Sequence, residues 1–312
     1  MTDAPPSLSL VIPAYNEALR LAAGFERLRP TLEALGADTE VIVIDDGSSD
    51  DTLRVAQRVY GHLENARFVQ QPVNRGKGAA VRLGVALARG ARVIATDADM
   101  SIRPSHLPEI VAALDAADLA PGSRVLNEHI DYDSPLRTAA GKAFNVLVRH
   151  YTGTTLRDTQ CGCKGYRLGA ARVMGLLGYT DRFIFDAEML LLAQRLGLAV
   201  TPVPVTWDDV AGSSVRLARD SLQMIRDLRA LGRTHYANPV VEVEVDVDVA
   251  RVAQLAREAR VLGAVVARSA TNALVVLGHD AALGAHAIAD GLNGVLRTAD
   301  ITELSGRRFD AV

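Results

Sequence analysis

The fold follows from one stretch, Val93-Ile94-Ala95-Thr96-Asp97-Ala98-Asp99-Met100, an apolar run that ends in two aspartates. A short apolar run of this kind is typical of a buried strand in a parallel sheet. α/β proteins bind ligands at the carboxyl ends of such strands, and carboxylate oxygens suit hard divalent cations. The run therefore predicts a metal and diphosphate site at Asp97 and Asp99, although an isolated Asp-x-Asp is more often a solvated loop.

The same alternation of apolar run and helix precedes this strand. Apolar runs predict buried strands at Leu8–Ile12, Glu40–Ile44 and Arg67–Val69. Each is followed by a predicted helix, and these helices run to about Leu35, over 52–62 and over 79–89. Strands that alternate with helices predict an α/β domain with a mainly parallel, Rossmann-like sheet.

Two polar turns of this predicted domain carry candidate ligand-binding groups. Asp45-Asp46-Gly47-Ser48-Ser49-Asp50 holds more acidic groups than helix capping needs, so Asp45 and Asp46 are left to accept from a nucleobase or a ribose. Asn74-Arg75-Gly76-Lys77-Gly78 brings two glycines and two cations to a helix N-terminus. This composition is typical of a phosphate-binding loop, but it is also common in purely structural turns.

Composition excludes several classes of protein. The 312 residues are 49% hydrophobic and 23% charged, which predicts a soluble globular protein with one large and one smaller domain. A net charge of -3 gives no case for nucleic-acid binding. Met1–Pro6 lacks the basic start and apolar core of a signal peptide, so we expect a cytoplasmic protein. Cys161 and Cys163 suit neither a disulfide nor a zinc site and are expected to be reduced.

Four motifs, taken in order along the chain, resemble those of family two glycosyltransferases of the GT-A fold. They are Val11–Glu17, Asp45–Asp50, Arg75–Gly78 and Asp97–Asp99. The resemblance covers about residues 8 to 235. It implies an inverting, metal-dependent hexosyltransferase that uses a nucleotide-sugar donor, with Mg²⁺ or Mn²⁺ as cofactor.

The resemblance also implies roles for individual residues. The nucleoside pocket of the donor would be lined by Pro13, Tyr15, Glu17, Asp45 and Asp46, with Lys77 close by. Asp97 and Asp99 would hold the donor diphosphate through the divalent cation.

Motifs in the second half of the chain narrow the resemblance to polyprenyl-phosphate sugar transferases, above all to dolichyl-phosphate glucosyltransferases. These motifs are Gly122–Arg124, Asp158–Tyr166, Phe185–Leu190 and Val203–Trp207. The implied reaction moves glucose from UDP-glucose to a polyprenyl phosphate. The alternatives are a GDP-mannose-dependent mannosyltransferase, a transferase with a soluble acceptor, and a nucleotide-sugar sensor without activity. Ser101, where several mannosyl enzymes carry Gln, favours glucose.

By the same resemblance, three arginines would surround the phosphates of donor and acceptor. They are Arg124, Arg137 and Arg216. The planar guanidinium group binds phosphate oxygens in a bidentate manner, which gives this placement a physical basis.

The need for a general base depends on the acceptor. A phosphate is already an anion at neutral pH and needs little help from a base, whereas a sugar hydroxyl would need a positioned carboxylate. Asp158, Asp186 and Glu188 are the candidates for such a base. Capping and loop hydrogen bonding are the alternative roles of these residues.

A lipid acceptor requires contact with a membrane surface. The predicted helix over 215–233 carries apolar residues on one side and arginines on another. This pattern fits a basic interfacial helix, and equally a helix packed on the domain with a solvated arginine face. We therefore expect a cytoplasmic protein that can bind peripherally to the inner face of the membrane.

A change of pattern after Tyr236–Pro239 predicts a boundary between residues 1–238 and 239–312. Residues 240–247 alternate strictly between apolar and acidic, which is typical of a half-exposed strand. The order βαββαβ, with helices over 249–261 and 280–292, predicts a small α+β ferredoxin-like domain. This domain has no catalytic motif, so regulation, interaction or a homo-oligomer contact is its expected role.

Overall fold

A computed structural model describes most of the first 231 residues and four later strands. The described residues are 6–127, 135–178, 180–195, 198–208, 210 and 223–231, together with the strands given below.

Seven strands and eight helices make up the larger described part. The strands are β1 (Leu8–Ala14), β2 (Thr39–Asp45), β3 (Ala66–Gln70), β4 (Arg92–Ala95), β5 (Leu119–Ser123), β6 (Lys164–Arg167) and β7 (Val203–Pro204). The helices are α1 (Leu21–Leu35), α2 (Thr52–Tyr60), α3 (Lys77–Leu87), α4 (Leu107–Ala113), α5 (Pro135–Thr152), α6 (Leu168–Leu177), α7 (Phe185–Arg195) and α8 (223–231).

The sheet has the order β3-β2-β1-β4-β6-β5-β7. β1 runs parallel to β2 and to β4, whereas β6 is antiparallel to both β4 and β5. This confirms the predicted α/β fold with a mainly parallel sheet. The sequence does not predict β6, because its four residues include a lysine, a glycine and an arginine and form no apolar run.

Helices cover both faces of this sheet. Along β1 the side chains alternate, so that Leu10 and Ile12 pack with α1 and α2 while Val11 packs with α3 and α6. All three are completely buried. Because burying one such side chain is worth ~1.5–3 kcal/mol, these two apolar layers hold the strand ends in fixed relative positions.

Two element boundaries differ slightly from the prediction and matter for the site. β4 ends at Ala95, so Asp97 and Asp99 lie in the loop after the strand. Helix α3 begins at Lys77, which is two residues before its predicted start. Lys77 therefore belongs to the first helical turn and is held more rigidly than a loop residue would be.

A buried carboxylate stabilises the amino ends of β1 and β2, at the end of the sheet opposite to Asp97 and Asp99. Glu40 is fully buried and accepts hydrogen bonds from the hydroxyl of Ser9, and from the backbone N–H and Nε of Arg89. Burial acts to raise the pKa of Glu40, but these hydrogen bonds outweigh it and lower the pKa below its ordinary value.

Helix α8 packs on the domain through its apolar side. Leu228 and Leu231 are completely buried with Val148 and Ile184, whereas the arginines at 226 and 229 are exposed. For 223–231 the structure therefore shows a packed helix with a solvated arginine face. The rest of the predicted helix, including Arg216, lies outside the described residues. Within the part of the chain that is described, no helix combines the length and the hydropathy needed to cross a membrane.

Four further strands form a separate antiparallel sheet. They are β8 (Val240–Glu244), β9 (Val265–Arg268), β10 (Ala273–Leu277) and β11 (Val295–Ala299), in the order β11-β8-β10-β9. A ferredoxin-like βαββαβ domain has this strand order. Its two predicted helices lie outside the described residues, and the boundary at 238/239 stays a prediction.

Candidate active site

The loops after β1, β2 and β4 meet at one edge of the sheet. These three strands are adjacent and parallel, so their carboxyl ends point the same way. Glu17 follows β1, Asp45 ends β2 and Asp46 follows it, and Asp97 and Asp99 follow β4. The structure therefore brings together the residues that the sequence predicted for the donor site.

Asp46 orders the loop that follows β3. Its two oxygens accept from the side chains of Gln71 at 2.8 Å and Asn74 at 3.1 Å, and from the backbone N–H groups of Arg75 at 2.9 Å and Gly76 at 2.7 Å. Four donors use all the lone-pair sites of a carboxylate. Asp46 thus shapes the predicted phosphate loop, and its direct contact with the donor stays a prediction.

Asp45 is buried beside it and makes fewer contacts. One oxygen accepts from the N–H of Ser48 at 3.0 Å and the other from Nε2 of Gln70 at 2.7 Å. Since a carboxylate has about four lone-pair sites, Asp45 retains the capacity for a ligand contact.

Hydrogen bonds fasten the loop after β1 to the loop after β2. Asn16 donates its N–H to Ser48 Oγ at 2.9 Å and accepts from the N–H of Ser49 at 2.9 Å, while its φ of 53° lies in the left-handed region that asparagine tolerates. The N–H of Glu17 donates to Thr52 Oγ1 at 2.8 Å. Tyr15, in the same loop, is 38% exposed, and its lining of the nucleoside pocket stays a prediction.

A residue that the sequence analysis missed, Arg20, joins the β1 loop to the acidic pair. Its Nη1 donates to Asp99 Oδ2 at 3.0 Å, and its Nη2 forms an ion pair with Glu17 Oε1. Burial raises the pKa of Glu17, Arg20 opposes this, and the charges of Asp99 and Asp97 add to it. The three carboxylates are therefore close enough to interact. Because Arg20 follows Glu17 by three residues at the start of a helix, the spacing alone could have suggested this pair.

Lys77 anchors the other aspartate at the end of a row of alternating charges. Its Nζ lies 2.7 Å from Asp97 Oδ1 and 3.5 Å from Asp186 Oδ2. On its other side, Asp186 pairs with the buried Lys164, which also donates to the carbonyl of Cys161. Burial acts to lower the pKa of Lys77 and to raise that of Asp186, but their partners' charges outweigh it in both cases. Both shifts favour the charged forms of Lys77 and Asp186, and Lys77 is fixed at Asp97.

Gly162 lies directly against the carboxylate of Asp97. A Cβ at this position would lie 2.0 Å from Asp97 Oδ2 and 3.1 Å from Lys77 Nζ, so only glycine leaves this carboxylate where it is. Cys161 and Cys163 on either side are free and completely buried.

Arg124 and Asp158 form a bidentate pair at the end of β5. Nε and Nη2 of Arg124 each lie 2.8 Å from an Asp158 oxygen, and the backbone N–H of Arg124 donates to the same carboxylate at 2.9 Å. Burial acts to raise the pKa of Asp158, but the bonds from Arg124 hold it below its ordinary value. Asp158 therefore positions Arg124. Arg137 lies in α5 with its side chain outside the described part of the structure.

Glu188, a predicted catalytic residue, is completely buried beside Thr180. It accepts from the N–H of Thr180 at 3.0 Å and from its hydroxyl. The carbonyl groups of Thr180 and Asp181 in turn lie against Gly78 and Gly76 beside Lys77. The observed contacts thus give Glu188 the role of holding the loop that covers the start of α3.

The donor set at Asp97 and Asp99 fits a cation of the Mg²⁺ or Mn²⁺ type. Both side chains offer hard oxygen ligands, and the described residues contain no group of three or more His, Cys, Asp or Glu arranged around an ion. Mg²⁺ is typically held by one or two carboxylates and completes its coordination with phosphates and water. Two aspartates at a diphosphate site match that requirement.

A Rossmann-like domain with an acidic pair, a fixed lysine and an exposed tyrosine at its strand ends has the features of a nucleotide-sugar transferase. The model of Glycosyl transferase family 2 matches residues 9–175, and the chain belongs to this family. It is therefore an enzyme, a glycosyltransferase that takes its sugar from a nucleotide donor. The matched residues include every site residue described above except those of α7 and its preceding loop.

Relatives and solved structures agree with this assignment. The dolichyl-phosphate β-glucosyltransferase of Drosophila melanogaster is 36% identical over 248 residues, which cover 73% of this chain and 75% of the relative. The protein of the same name from Homo sapiens is 34% identical over 72% of this chain and 75% of the relative. Glucosyl-3-phosphoglycerate synthase from Mycobacterium tuberculosis in complex with UDP, at 22% identity, superposes with a TM-score of 0.56 over 74% of this chain and 85% of that chain. The last likeness shows the GT-A fold.

Proposed function

We propose that the protein transfers glucose from UDP-glucose to a polyprenyl phosphate at a membrane surface, with inversion at the anomeric carbon. Relatives named dolichyl-phosphate β-glucosyltransferases, at 31% to 36% identity, support both the sugar and the lipid acceptor. Structural neighbours solved with Mn²⁺ and UDP-glucose support a divalent cation and a uridine donor.

The choice of a phosphate acceptor over a hydroxyl acceptor rests on one observation. All three candidate bases already contact other groups of the protein. Asp158 is clamped on Arg124, Asp186 lies between two lysines, and Glu188 is buried against Thr180. A hydroxyl acceptor would need a carboxylate free to take its proton, whereas a phosphate is already an anion. The described geometry therefore favours a phosphate over a hydroxyl as the nucleophile.

In the proposed reaction an oxygen of the lipid phosphate forms a bond to the anomeric carbon. The bond from that carbon to the diphosphate breaks, and UDP leaves with the electron pair. Negative charge therefore develops on the diphosphate. Lys77, held by Asp186, and Arg124, held by Asp158, are cations fixed before the reaction, so they can stabilise this charge without reorganisation. A divalent cation bound at Asp97 and Asp99 would neutralise further charge on the leaving diphosphate.

Peripheral binding to the cytoplasmic face of the membrane is part of the proposal. Val146 and Leu147 on α5 are exposed apolar side chains, at 64% and 38% exposure. The exposed arginines at 226 and 229 on α8 could meet anionic head groups. Sedimentation with vesicles that contain anionic lipid tests this part separately from catalysis.

The reaction is tested by incubating the purified protein with Mn²⁺ or Mg²⁺, a short polyprenyl phosphate, and either UDP-glucose or GDP-mannose. We expect extractable lipid-linked glucose that disappears with EDTA. Asp99→Ala should abolish it, whereas Asp115→Ala, which removes an exposed carboxylate elsewhere on the domain, should not. Lipid-linked mannose would replace the donor in this proposal. Product formed only with a soluble acceptor would replace the lipid, and donor binding without any product would indicate a sensor.

A further inference from the structure

Arg20 is the one described side chain that bridges the loop after β1 and the loop after β4 through two carboxylates. Its guanidinium contacts Asp99 Oδ2 at 3.0 Å and Glu17 Oε1 on the other side. The side chains of Arg20, Asp99 and Glu17 are 14%, 17% and 11% exposed. Because water reaches them so little, these ion pairs are screened less than pairs on the surface.

Packing fixes Asp99 at this distance from Arg20. A Cβ on Gly24, one turn further along α1, would lie 2.2 Å from the carbonyl oxygen of Ala98, so the loop backbone rests directly on the helix. The other oxygen of Asp99 accepts from the N–H of Ser101 at 3.0 Å. Both oxygens of Asp99 are thus engaged by the protein itself.

A divalent cation that binds Asp99 must compete with this guanidinium, because two cations on one carboxylate oxygen repel each other. Arg20 has a second place to go. Glu17 Oε2 is buried and has no hydrogen-bond partner among the described residues, so it could accept the N–H group that Arg20 withdraws from Asp99. The negative charge of a nucleotide diphosphate would compensate the extra positive charge in the site.

We propose that Arg20 is a positioning residue that couples the cation to the nucleotide: it holds Asp99 in the cation-free protein and turns to Glu17 when nucleotide and cation bind together. The inference rests on the proposed function only in taking Asp97 and Asp99 as the ligands of the cation. It assigns to this chain a built-in competitor that keeps the site from binding a cation tightly before the donor arrives.

Mn²⁺ binding to the full-length protein, followed by the electron paramagnetic resonance of free Mn²⁺ with and without UDP, tests this. In the original protein, UDP should strongly tighten Mn²⁺ binding. In Arg20→Gln, Mn²⁺ alone should bind about tenfold more tightly, which corresponds to ~1.4 kcal/mol, and the enhancement by UDP should fall by a similar factor. Arg29→Gln removes an equal charge from an exposed position on the same helix and should leave both affinities unchanged.

An unchanged or weaker affinity of Arg20→Gln for Mn²⁺ alone would overturn the proposal, and so would an equal gain in Arg29→Gln. If Arg20→Gln does not melt cooperatively, Arg20→Lys replaces it. Lysine has a single Nζ in place of the two nitrogens with which Arg20 contacts Asp99 and Glu17, so at least one of these contacts should weaken. A UDP enhancement equal to that of the original protein would therefore overturn the proposal.

The measurement needs neither a sugar nor an acceptor. Failure of this test with intact glucose transfer would therefore leave the proposed function standing. If the Mn²⁺ test succeeds but no glucose is transferred, the role of Arg20 stands and the proposed function fails.

Discussion

Gly162→Ala is expected to disable transfer without unfolding the protein, because the added methyl group would occupy the place of the Asp97 carboxylate. The new Cβ would lie 2.0 Å from Oδ2 and 2.8 Å from Cγ of Asp97. To restore an ordinary contact of 3.4 Å, the carboxylate or the backbone at 162 must move by about 1.4 Å. Lys77, whose Nζ is 3.1 Å from the same point, would move with it.

Gly162→Ala should lower the rate of transfer rather than the stability of the fold. Gly162 has a φ outside the left-handed region, so alanine introduces no backbone strain there. A misplacement of ~1 Å in a catalytic site can lower a rate about a hundredfold. We therefore expect kcat/KM for the donor to fall by about that factor, which corresponds to ~2.7 kcal/mol of transition-state stabilisation.

Steady-state kinetics and thermal melting on the same preparations provide the assay. Gly175→Ala is the matched control: it lies in α6 with its nearest neighbour 3.8 Å away, so activity should persist and stability rise by up to ~1 kcal/mol. A Gly162→Ala enzyme with the kinetics and melting temperature of the original protein would refute the reasoning from this contact.

Three further results are expected. Asp158→Asn should lower kcat about tenfold to a hundredfold at saturating donor. It weakens the hydrogen bonds that position Arg124, and a hydrogen bond to a charged group contributes ~1.5–3 kcal/mol. Glu40→Gln should lower the free energy of unfolding by ~1–3 kcal/mol at pH 7 without affecting transfer. Because the folded pKa of Glu40 is lowered, its stabilisation is present above the unfolded pKa and lost as the pH falls through the folded one, so the melting curves of the two proteins should converge in acid. Cys161, whose pKa burial raises to about 11, and Cys163 should react with a thiol reagent only after unfolding.

One result would contradict each of these three predictions. Asp158→Asn with unchanged kcat would mean that Arg124 does not depend on this partner. A Glu40→Gln difference in melting that persists unchanged at low pH would show that ionisation of Glu40 is not its source. Rapid labelling of a cysteine in the native protein, measured with Gly175→Ala as a folded control, would contradict the buried positions of the thiols.

The sequence was most informative where a local pattern carries the physics. Apolar runs bounded by turn residues located β1, β2 and β4, and the end of each strand placed Glu17, Asp45 and Asp97 at one edge. Parallel strands leave no other arrangement for their carboxyl ends.

Side-chain partners across long sequence separations could not be obtained in this way. Arg20 and Asp99 are 79 residues apart, and nothing in either segment indicates the other. Lys164 and Asp186 are 22 residues apart on an unpredicted strand and a helix. Asp46 and Glu188 were predicted to bind the donor and to act in catalysis, and the sequence contains no sign of the loop contacts that both residues also make. The residue type alone does not distinguish a carboxylate that holds a loop from one that acts in catalysis. Only the contacts in the folded protein do so.

The antiparallel strand β6 has a consequence for the order in which the chain can assemble. Lys164 pairs with Ala95 on one side and with Pro121 on the other, so β6 is the link between β4 and the outer strands β5 and β7. During synthesis, β1 to β4 can pair as soon as they emerge, but β5 has no strand to join until residue 167 is made. A fragment that stops before β6 would leave β4 as an open sheet edge, prone to pair with other chains. Such a fragment should therefore aggregate.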